Sequence, residues 1–229
     1  MTREPMTPDA PAATVRPAIV PLPVRAFGLV PYDRGLALQA EALAEVDAGA
    51  APGIVLALRH PPTVTLGRRT APGEVHASAE ALAADGIALF RVDRGGGATY
   101  HYPAQAVVYP ILDMDRLRLT VPTLLERVRD ALLDTLAAFG VAGTWDPERP
   151  GIYVSGAKIA SVGFHLSRGR TTHGVALNVG RDWQGFGWID PCKMRGLPIT
   201  SIEDLAGACP NPDAVCADLA AAIARRAAR

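Results

Sequence analysis

The alternation of apolar and polar residues predicts both helices and strands. Apolar residues at helical spacing predict long helices over 33–50, 121–139 and 212–228 and a short helix over 78–85. The stretch 121–139 is the clearest, because Pro122 lies in its first turn and Gly140 ends it. Short apolar runs bounded by turn residues predict strands at 26–30, 54–58, 63–66, 88–92, 106–112, 151–154, 158–166 and 171–179.

The order of these elements indicates the fold class. Strand runs mixed with helices, rather than strict alternation, favour an α+β fold with a mixed sheet flanked by helices. Residues 1–22 are rich in Pro, Ala and Thr without periodicity, which predicts a flexible tail before one catalytic domain over 23–229. Thr200 and Glu203 have the spacing of a capping box, so a short helix is expected after them.

Composition narrows the function classes. A formal net charge of +0 argues against a general nucleic-acid binder, and no apolar run reaches the roughly 18 residues that span a bilayer. The first residues lack the pattern of a signal peptide. The three cysteines, 192, 209 and 216, form neither a disulfide framework nor a CxxC metal pair. The sequence therefore predicts a cytoplasmic protein with free thiols, no metal and no membrane or nucleic-acid partner.

Lysine is unusually scarce. Of the 23 basic residues only Lys158 and Lys193 are lysines. An amine can lose its proton near neutral pH and a guanidinium cannot, so a chain that otherwise uses arginine can retain lysine where amine chemistry is needed. Chance in an arginine-rich background explains each lysine about equally well.

Three segments carry candidate chemistry. The Arg94–His101 segment contains three successive glycines that let a backbone approach a ligand and direct its N–H groups inward, although a simple turn would look the same. If Lys158 begins a regular strand, it shares an apolar face with Ala160, Val162, Phe164 and Leu166, which would desolvate its amine. The alternative is a lysine that extends into water.

Cys192 is the third candidate. It lies in a loop with Pro191 and Gly196, where a thiol is accessible, and Lys193 and Arg195 would favour its thiolate. Cys209 and Cys216 are expected to be structural, and His173 offers a further polar group on a strand.

Four motifs resemble those of the octanoyltransferases of protein lipoylation. The resemblance covers about residues 25–220 and rests on His60-Pro61-Pro62 with Thr65 and Gly67, on Arg94-Gly95-Gly96 with Thr99-Tyr100-His101, Pro103 and Gln105, on Lys158-Ile159-Ala160 followed by His173-Gly174, Ala176-Leu177-Asn178, and on Pro191-Cys192 with Gly196 and Thr200-Ser201.

The resemblance implies the catalytic-domain fold of the biotin and lipoate protein ligases. It also implies transfer of an octanoyl group from acyl carrier protein to a lysine of lipoyl domains, in 2-oxo acid dehydrogenases and the glycine cleavage H protein, without a cofactor. Cys192 would be the acyl-thioester nucleophile, and Lys158 would lower its pKa and accept a proton. The implied substrate-binding residues are Arg94, Gly95, Gly96, Gly97, Ala98, Thr99, Tyr100, His101, Ser161, Val162, Gly163, Gly174, Val175 and Ala176.

The chain departs from the family pattern at three positions. Tyr102, Ala104 and Lys193 stand where glycine is usual, so acyl-chain length and loop geometry can differ from those of the family. Arg68, Arg69 and Arg116 are candidate contacts for an acidic carrier.

Other functions remain open at this point. One is an ATP-dependent lipoate or biotin protein ligase of the same fold, which would need no cysteine nucleophile. Another is a cysteine hydrolase that pairs Cys192 with His173 or His101. The third is a non-enzymatic, carrier-binding regulator.

Overall fold

The computed structural model describes residues 21–190 and 196–229. In these ranges the chain forms ten strands and five helices. The strands are β1 (Val24–Leu29), β2 (Gly53–Arg59), β3 (Thr63–Leu66), β4 (Ala88–Arg91), β5 (Ala98–His101), β6 (Gln105–Leu112), β7 (Thr144–Asp146), β8 (Gly151–Val154), β9 (Ala157–Ser167) and β10 (Arg170–Asn178). The helices are α1 (Tyr32–Asp47), α2 (Ala79–Ala84), α3 (Val121–Ala137), α4 (Ile202–Ala206) and α5 (Pro212–Ala227), and a 3₁₀ turn covers Gly185–Trp188.

Seven strands form one mixed sheet in the order β1-β2-β6-β10-β9-β8-β7. Strands β1 and β2 pair in parallel, and the other neighbours are antiparallel. Strands β4, β3 and β5 form a separate three-stranded sheet. The α+β class with a mixed sheet flanked by helices is confirmed, although the strands divide into two sheets.

The large sheet buries both of its faces. Alternate residues of β2 point in opposite directions, as a strand requires. Val55 and Ala57 pack with α3 and α5 in the main core, and Leu56 and Leu58 pack with α1 in a second cluster. The apolar stripes of the long helices are therefore what cover the sheet.

The small sheet has its own apolar cluster. Tyr100 and Tyr102 are fully buried there and stack with ring centroids 5.6 Å apart. Position 102 is thus filled by a ring that packs against the small sheet. The Tyr102 hydroxyl donates to the Gly180 carbonyl at 3.0 Å.

Several sequence expectations needed correction. Strands β5 and β7, of four and three residues, were not predicted. The capping box of α4 lies one residue later than expected, on Ser201 and Asp204, since Thr200 donates its backbone N–H to the Lys158 carbonyl.

The start of the chain was predicted as a tail. Residues 1–20 of that tail lie outside the described residues. Leu22, also assigned to the tail, is 5% exposed and packs in the main core. No helix in the described ranges is long and apolar enough to cross a membrane.

Candidate active site

A cavity lies between the start of α1, the segment 94–101 and strands β6, β9 and β10. The space inside it is about 580 Å³, including the open space at its mouth. The lining includes Lys158 and all but one of the predicted substrate-binding residues, namely Arg94, Gly95, Gly96, Gly97, Ala98, Thr99, His101, Ser161, Val162, Gly163, Gly174, Val175 and Ala176. Tyr32, Tyr109 and His173 complete it.

Tyr100 is the predicted residue that the structure places elsewhere. Its side chain points into the small-sheet cluster, and its hydroxyl lies 3.3 Å from Asp182 Oδ1. Along β5 alternate side chains point to opposite sides, which separates Tyr100 from Thr99 and His101 in the cavity wall.

The glycine loop is fixed by hydrogen bonds within the protein. Gly95 donates its N–H to the Phe164 carbonyl at 2.9 Å, and Ala98 donates its N–H to Glu74 Oε2 at 2.9 Å. A Cβ on Gly97 would lie 2.3 Å from that carboxylate oxygen. The expectation that the glycines direct their N–H groups at a ligand is therefore wrong for Gly95. Gly97 leaves the space that the buried Glu74 carboxylate occupies.

Glu74 connects the glycine loop to the cysteine-bearing segment. Its side chain is buried, and Oε1 accepts the Ala71 N–H at 2.8 Å. Its own backbone carbonyl accepts the N–H of Asp190 at 2.8 Å, directly before residues 191–195. A single residue thus ties together the loop 94–98 and the approach to Cys192.

Replacing Glu74 with alanine should lower the free energy of unfolding by about 3 kcal/mol, because the buried N–H of Ala98 and the partly buried N–H of Ala71 lose a charged acceptor. Denaturant unfolding measures this, with Glu80→Ala on the exposed side of α2 as the control. A loss below about 1 kcal/mol, or an equal loss in both variants, would contradict the structural role of Glu74.

Lys158 reaches the cavity through a bulge in β9. Tyr153 pairs with Lys158 and Ile152 pairs with Ala160, so Ile159 is an extra residue on β9. Ile159 and Ala160 both pack in the main core, and Lys158 lines the cavity together with Ser161. The expected shared face of Lys158 and Ala160 was therefore wrong. The bulge turns the lysine from the α3 side of the sheet into the cavity.

The Lys158 side chain is held tightly. Only 4% of the residue is exposed, and Nζ lies 5.4 Å from the centroid of the Tyr153 ring. A Cβ on Gly151 would be 2.9 Å from Lys158 Cε, so this glycine provides the room for the lysine stem. The Lys158 backbone N–H donates to the Pro198 carbonyl at 2.8 Å, which anchors the chain that follows residues 191–195.

A wall of aromatic and histidine rings forms another side of the cavity. His60 contacts three rings of this wall, those of Tyr32, His101 and Tyr109. His60 Nδ1 lies 2.9 Å from the Val30 carbonyl and Nε2 lies 2.8 Å from the Tyr109 hydroxyl, so the ring donates to the former and accepts from the latter.

Burial keeps these rings uncharged. It lowers the pKa of His60 and of His173 to about 4, and it raises the pKa of Tyr109 well above its usual value. The wall is thus neutral near pH 7, which suits an apolar acyl chain.

The small residues of β10 have a structural cause as well. A Cβ on Gly174 would lie 2.3 Å from the Val108 carbonyl of the neighbouring strand. His173, just before it, has a φ of 58°, in the left-handed region. Gly174 is therefore needed for the sheet itself, in addition to any room it leaves for a ligand.

Cys192 and its neighbour Lys193 lie outside the described residues. The other two cysteines are placed away from the cavity. Cys216 is buried in α5, and burial raises the pKa of its thiol to about 11. Cys209 is exposed, and its pKa is also raised, mainly by desolvation. Neither has the lowered pKa expected of a nucleophile.

A family comparison decides the relationship. The family model "Lipoyl protein ligase A/B catalytic domain" matches residues 31–224. The chain belongs to this family.

Named relatives within the lipoyl protein ligase A/B family are octanoyltransferases. The octanoyltransferase of Pseudomonas entomophila is 40% identical over 190 residues, covering 81% of this chain and 83% of that protein. The octanoyltransferase of Neisseria meningitidis serogroup C is 39% identical over 164 residues, covering 72% and 76%.

Solved structures show the same fold. A lipoate-protein ligase A bound with ATP has a TM-score of 0.67 at 19% identity, covering 87% of this chain and 83% of that chain. A biotin protein ligase from Aquifex aeolicus, with biotin and ATP, has a TM-score of 0.54 at 10% identity, covering 90% and 70%. The expected ligase-type catalytic-domain fold is confirmed.

Sequence reasoning missed three residues of this family member's site. Glu74 lies in a stretch without periodicity, so nothing in the pattern indicates its buried role. Tyr32 could not be assigned, because the helix was expected to begin one residue after it. Tyr109 lies in the apolar run of β6, on the same face as Val107. Its hydroxyl in that otherwise apolar run was the only sequence signal that could have indicated a role in the site.

The described residues offer no metal site. No group of three or more His, Cys, Asp or Glu side chains within 21–190 and 196–229 is arranged to hold a metal ion.

Proposed function

We propose that this chain is an octanoyltransferase that moves an octanoyl group through a Cys192 thioester to the lysine of a lipoyl domain. The identity of about 40% to octanoyltransferases over most of both chains carries the proposal. The cavity supports it, because a buried lysine lines a largely apolar pocket whose histidine and tyrosine rings are uncharged.

The first step is thioester exchange. With its proton on Lys158, the Cys192 thiolate attacks the carbonyl carbon of the octanoyl thioester on acyl carrier protein. A new C–S bond forms to Cys192 while the C–S bond to the carrier breaks. The departing thiolate takes the proton from the Lys158 ammonium, which leaves the amine neutral.

The second step is amide formation. The neutral amine of the acceptor lysine attacks the acyl-enzyme carbonyl, a C–N bond forms and the C–S bond to Cys192 breaks. The proton lost by the nitrogen passes to Lys158, which restores the thiolate and ammonium of the starting state. The second step requires an amine that can accept a proton, whereas in the first step water can also protonate the departing thiolate as long as a positive charge stabilises the Cys192 thiolate.

The chain on both sides of Cys192 is anchored to residues that hold or line the cavity. Asp190 binds the backbone of Glu74, which also holds the glycine loop of the cavity. Pro198 accepts the backbone N–H of Lys158. These contacts support placing Cys192 near Lys158, since few residues separate the two anchors.

The proposed donor is octanoyl acyl carrier protein. The proposed acceptors are the lipoyl domains of 2-oxo acid dehydrogenases and the glycine cleavage H protein, and the proposed compartment is the cytoplasm, where thiols stay reduced. Arg68, Arg69 and Arg116 remain the candidate contacts for the acidic carrier.

An ATP-dependent ligase is the second candidate, because solved structures similar to this chain include a lipoate-protein ligase and a biotin protein ligase, each bound with ATP. The two functions differ in their need for ATP. We expect octanoyl transfer from purified octanoyl carrier protein to a purified lipoyl domain without ATP or any metal, measured by the mass of the lipoyl domain. A strict requirement for ATP with free octanoate would instead identify a ligase. Release of octanoate without transfer would identify a hydrolase. If the protein catalyses none of these reactions, a carrier-binding regulator is favoured.

A further inference from the structure

Two buried side-chain amides connect a histidine of the cavity to the strand of Lys158. His101 Nδ1 lies 2.8 Å from Gln105 Oε1, and Gln105 Nε2 donates to Asn178 Oδ1 at 2.9 Å. Asn178 Nδ2 in turn donates to the Thr200 carbonyl at 2.9 Å. These residues are all at least 93% buried. We call Gln105 and Asn178 the amide relay.

The direction of every bond in the amide relay is forced. The Thr200 carbonyl can only accept, so the Asn178 amine faces it and the Asn178 oxygen faces Gln105. The Tyr100 carbonyl fixes Gln105 independently, because it accepts from Gln105 Nε2 at 3.2 Å. Gln105 Oε1 must then face His101. The proton of His101 is therefore on Nδ1, and Nε2 carries a lone pair.

This arrangement determines the hydrogen-bonding capacity of His101 in the cavity wall. His101 lines the cavity, and burial together with the nearby His60, Arg94 and His173 lowers its pKa well below the usual value. The ring is consequently neutral, and its Nε2 can accept a hydrogen bond but cannot donate one. Without the amide relay the two neutral tautomers would compete.

The other end of the relay reaches the catalytic strand. Thr200 donates its backbone N–H to the Lys158 carbonyl at 3.0 Å, and Lys158 donates its own to Pro198 at 2.8 Å. The segment 198–200 therefore lies beside Lys158 in parallel register. Asn178, at the end of the neighbouring strand β10, holds this segment in place through its hydrogen bond to the Thr200 carbonyl.

We propose that Gln105 and Asn178 are positioning residues of the transferase site, which fix His101 as the Nδ1–H tautomer and hold segment 198–200 against Lys158. The catalytic consequence rests on the proposed function. The tautomer of His101 and the geometry of the segment do not depend on it.

The tautomer is measured without any substrate. In protein labelled with ¹⁵N-histidine, two-bond ¹H–¹⁵N correlations at pH 7 distinguish a protonated Nδ1 from a protonated Nε2, and His101→Asn assigns the signal. We expect only the Nδ1–H form of His101, and a shift toward the Nε2–H form in Gln105→Met. Finding Nε2–H in the unmodified protein, or no change in Gln105→Met, would overturn the relay.

The kinetic consequence is tested with Asn178→Ala. Misplacement of a catalytic group by about 1 Å can cost about 10²-fold in rate, so kcat for octanoyl transfer should fall by about that factor. The KM for octanoyl carrier protein should stay within about twofold, because the relay lies behind the cavity.

Thr135→Val is the matched control. Thr135 is equally buried, donates its hydroxyl to the Ala131 carbonyl inside α3 and lies outside the cavity lining. We expect its kcat to be unchanged. A kcat for Asn178→Ala within twofold of the unmodified protein would refute the positioning role. If the unmodified protein shows no octanoyl transfer, the proposed function is refuted, while the tautomer result remains valid.

Discussion

Replacing Lys158 with arginine is expected to lower octanoyl transfer to a lipoyl domain by about 10³-fold, while acyl-enzyme formation remains measurable. An arginine keeps the positive charge that stabilises a Cys192 thiolate. It cannot accept the proton that the acceptor amine loses, and general-base catalysis typically contributes about 10²- to 10⁴-fold. The two half-reactions should therefore separate in this variant.

The measurement follows each half-reaction by intact mass, first with octanoyl carrier protein alone and then after addition of the lipoyl domain. Lys158→Met is the companion variant, because it removes the charge as well and should slow both steps. The side chain at position 158 packs closely against Gly151, so thermal unfolding of both variants must be measured to check that they fold. Normal transfer by a folded Lys158→Arg would remove the general-base role.

Cys192→Ala is expected to reduce octanoyl transfer by a factor on the order of 10³ or more, because the reaction loses its covalent intermediate. The donor and acceptor would then have to meet in one step. Thermal unfolding of Cys192→Ala checks that the fold is retained.

The chain provides its own controls for Cys192→Ala. Cys209 is exposed and lies outside the cavity lining, so Cys209→Ala should retain full activity. Cys216→Ala should lose some stability, because its thiol is buried in α5, but not its chemistry. Retention of activity in Cys192→Ala, or its loss in Cys209→Ala, would assign the nucleophile to another group.

Much of the fold was predictable because the long elements follow the physics of burial. The helix α3 has a continuous apolar stripe with a proline at its start, and its limits were predicted to within two residues. The strand β6 is buried along its whole length and, after Gln105, apolar apart from the Tyr109 hydroxyl, because both faces of the large sheet are covered there. Such patterns are local, so the sequence displays them.

The bulge at Ile159 could not be predicted. Both Ile159 and Ala160 are apolar, so the sequence is equally compatible with a regular strand and with a bulged strand. The extra residue is fixed by pairing with β8, which is a contact between separate parts of the chain. As a result the sequence pointed to a lysine that does line the cavity, but assigned it to the wrong face of the strand.

Glu74 shows the same limit for a polar residue. An isolated glutamate in an irregular segment looks like a solvated charge. Its role depends on where Ala71, Ala98 and Asp190 meet in the folded chain, and on the absence of a side chain at Gly97. The glycine triplet was visible in the sequence, but the carboxylate that requires its last member was not.

The amide relay was predictable only in part. Gln105 and Asn178 each belong to a motif that marks the family, yet a motif does not tell which polar atoms face each other. The antiparallel pairing of Gln105 with Asn178 brings the two amides together. Their hydrogen-bond directions then follow from two backbone carbonyls.

The central claim is that Cys192 carries the acyl group, and intact mass after incubation with octanoyl carrier protein alone tests it most directly. We expect one octanoyl adduct per chain, present in Cys209→Ala, absent in Cys192→Ala and lost when a lipoyl domain is added. An adduct that persists in Cys192→Ala, or transfer with no adduct at any time, would contradict the thioester mechanism.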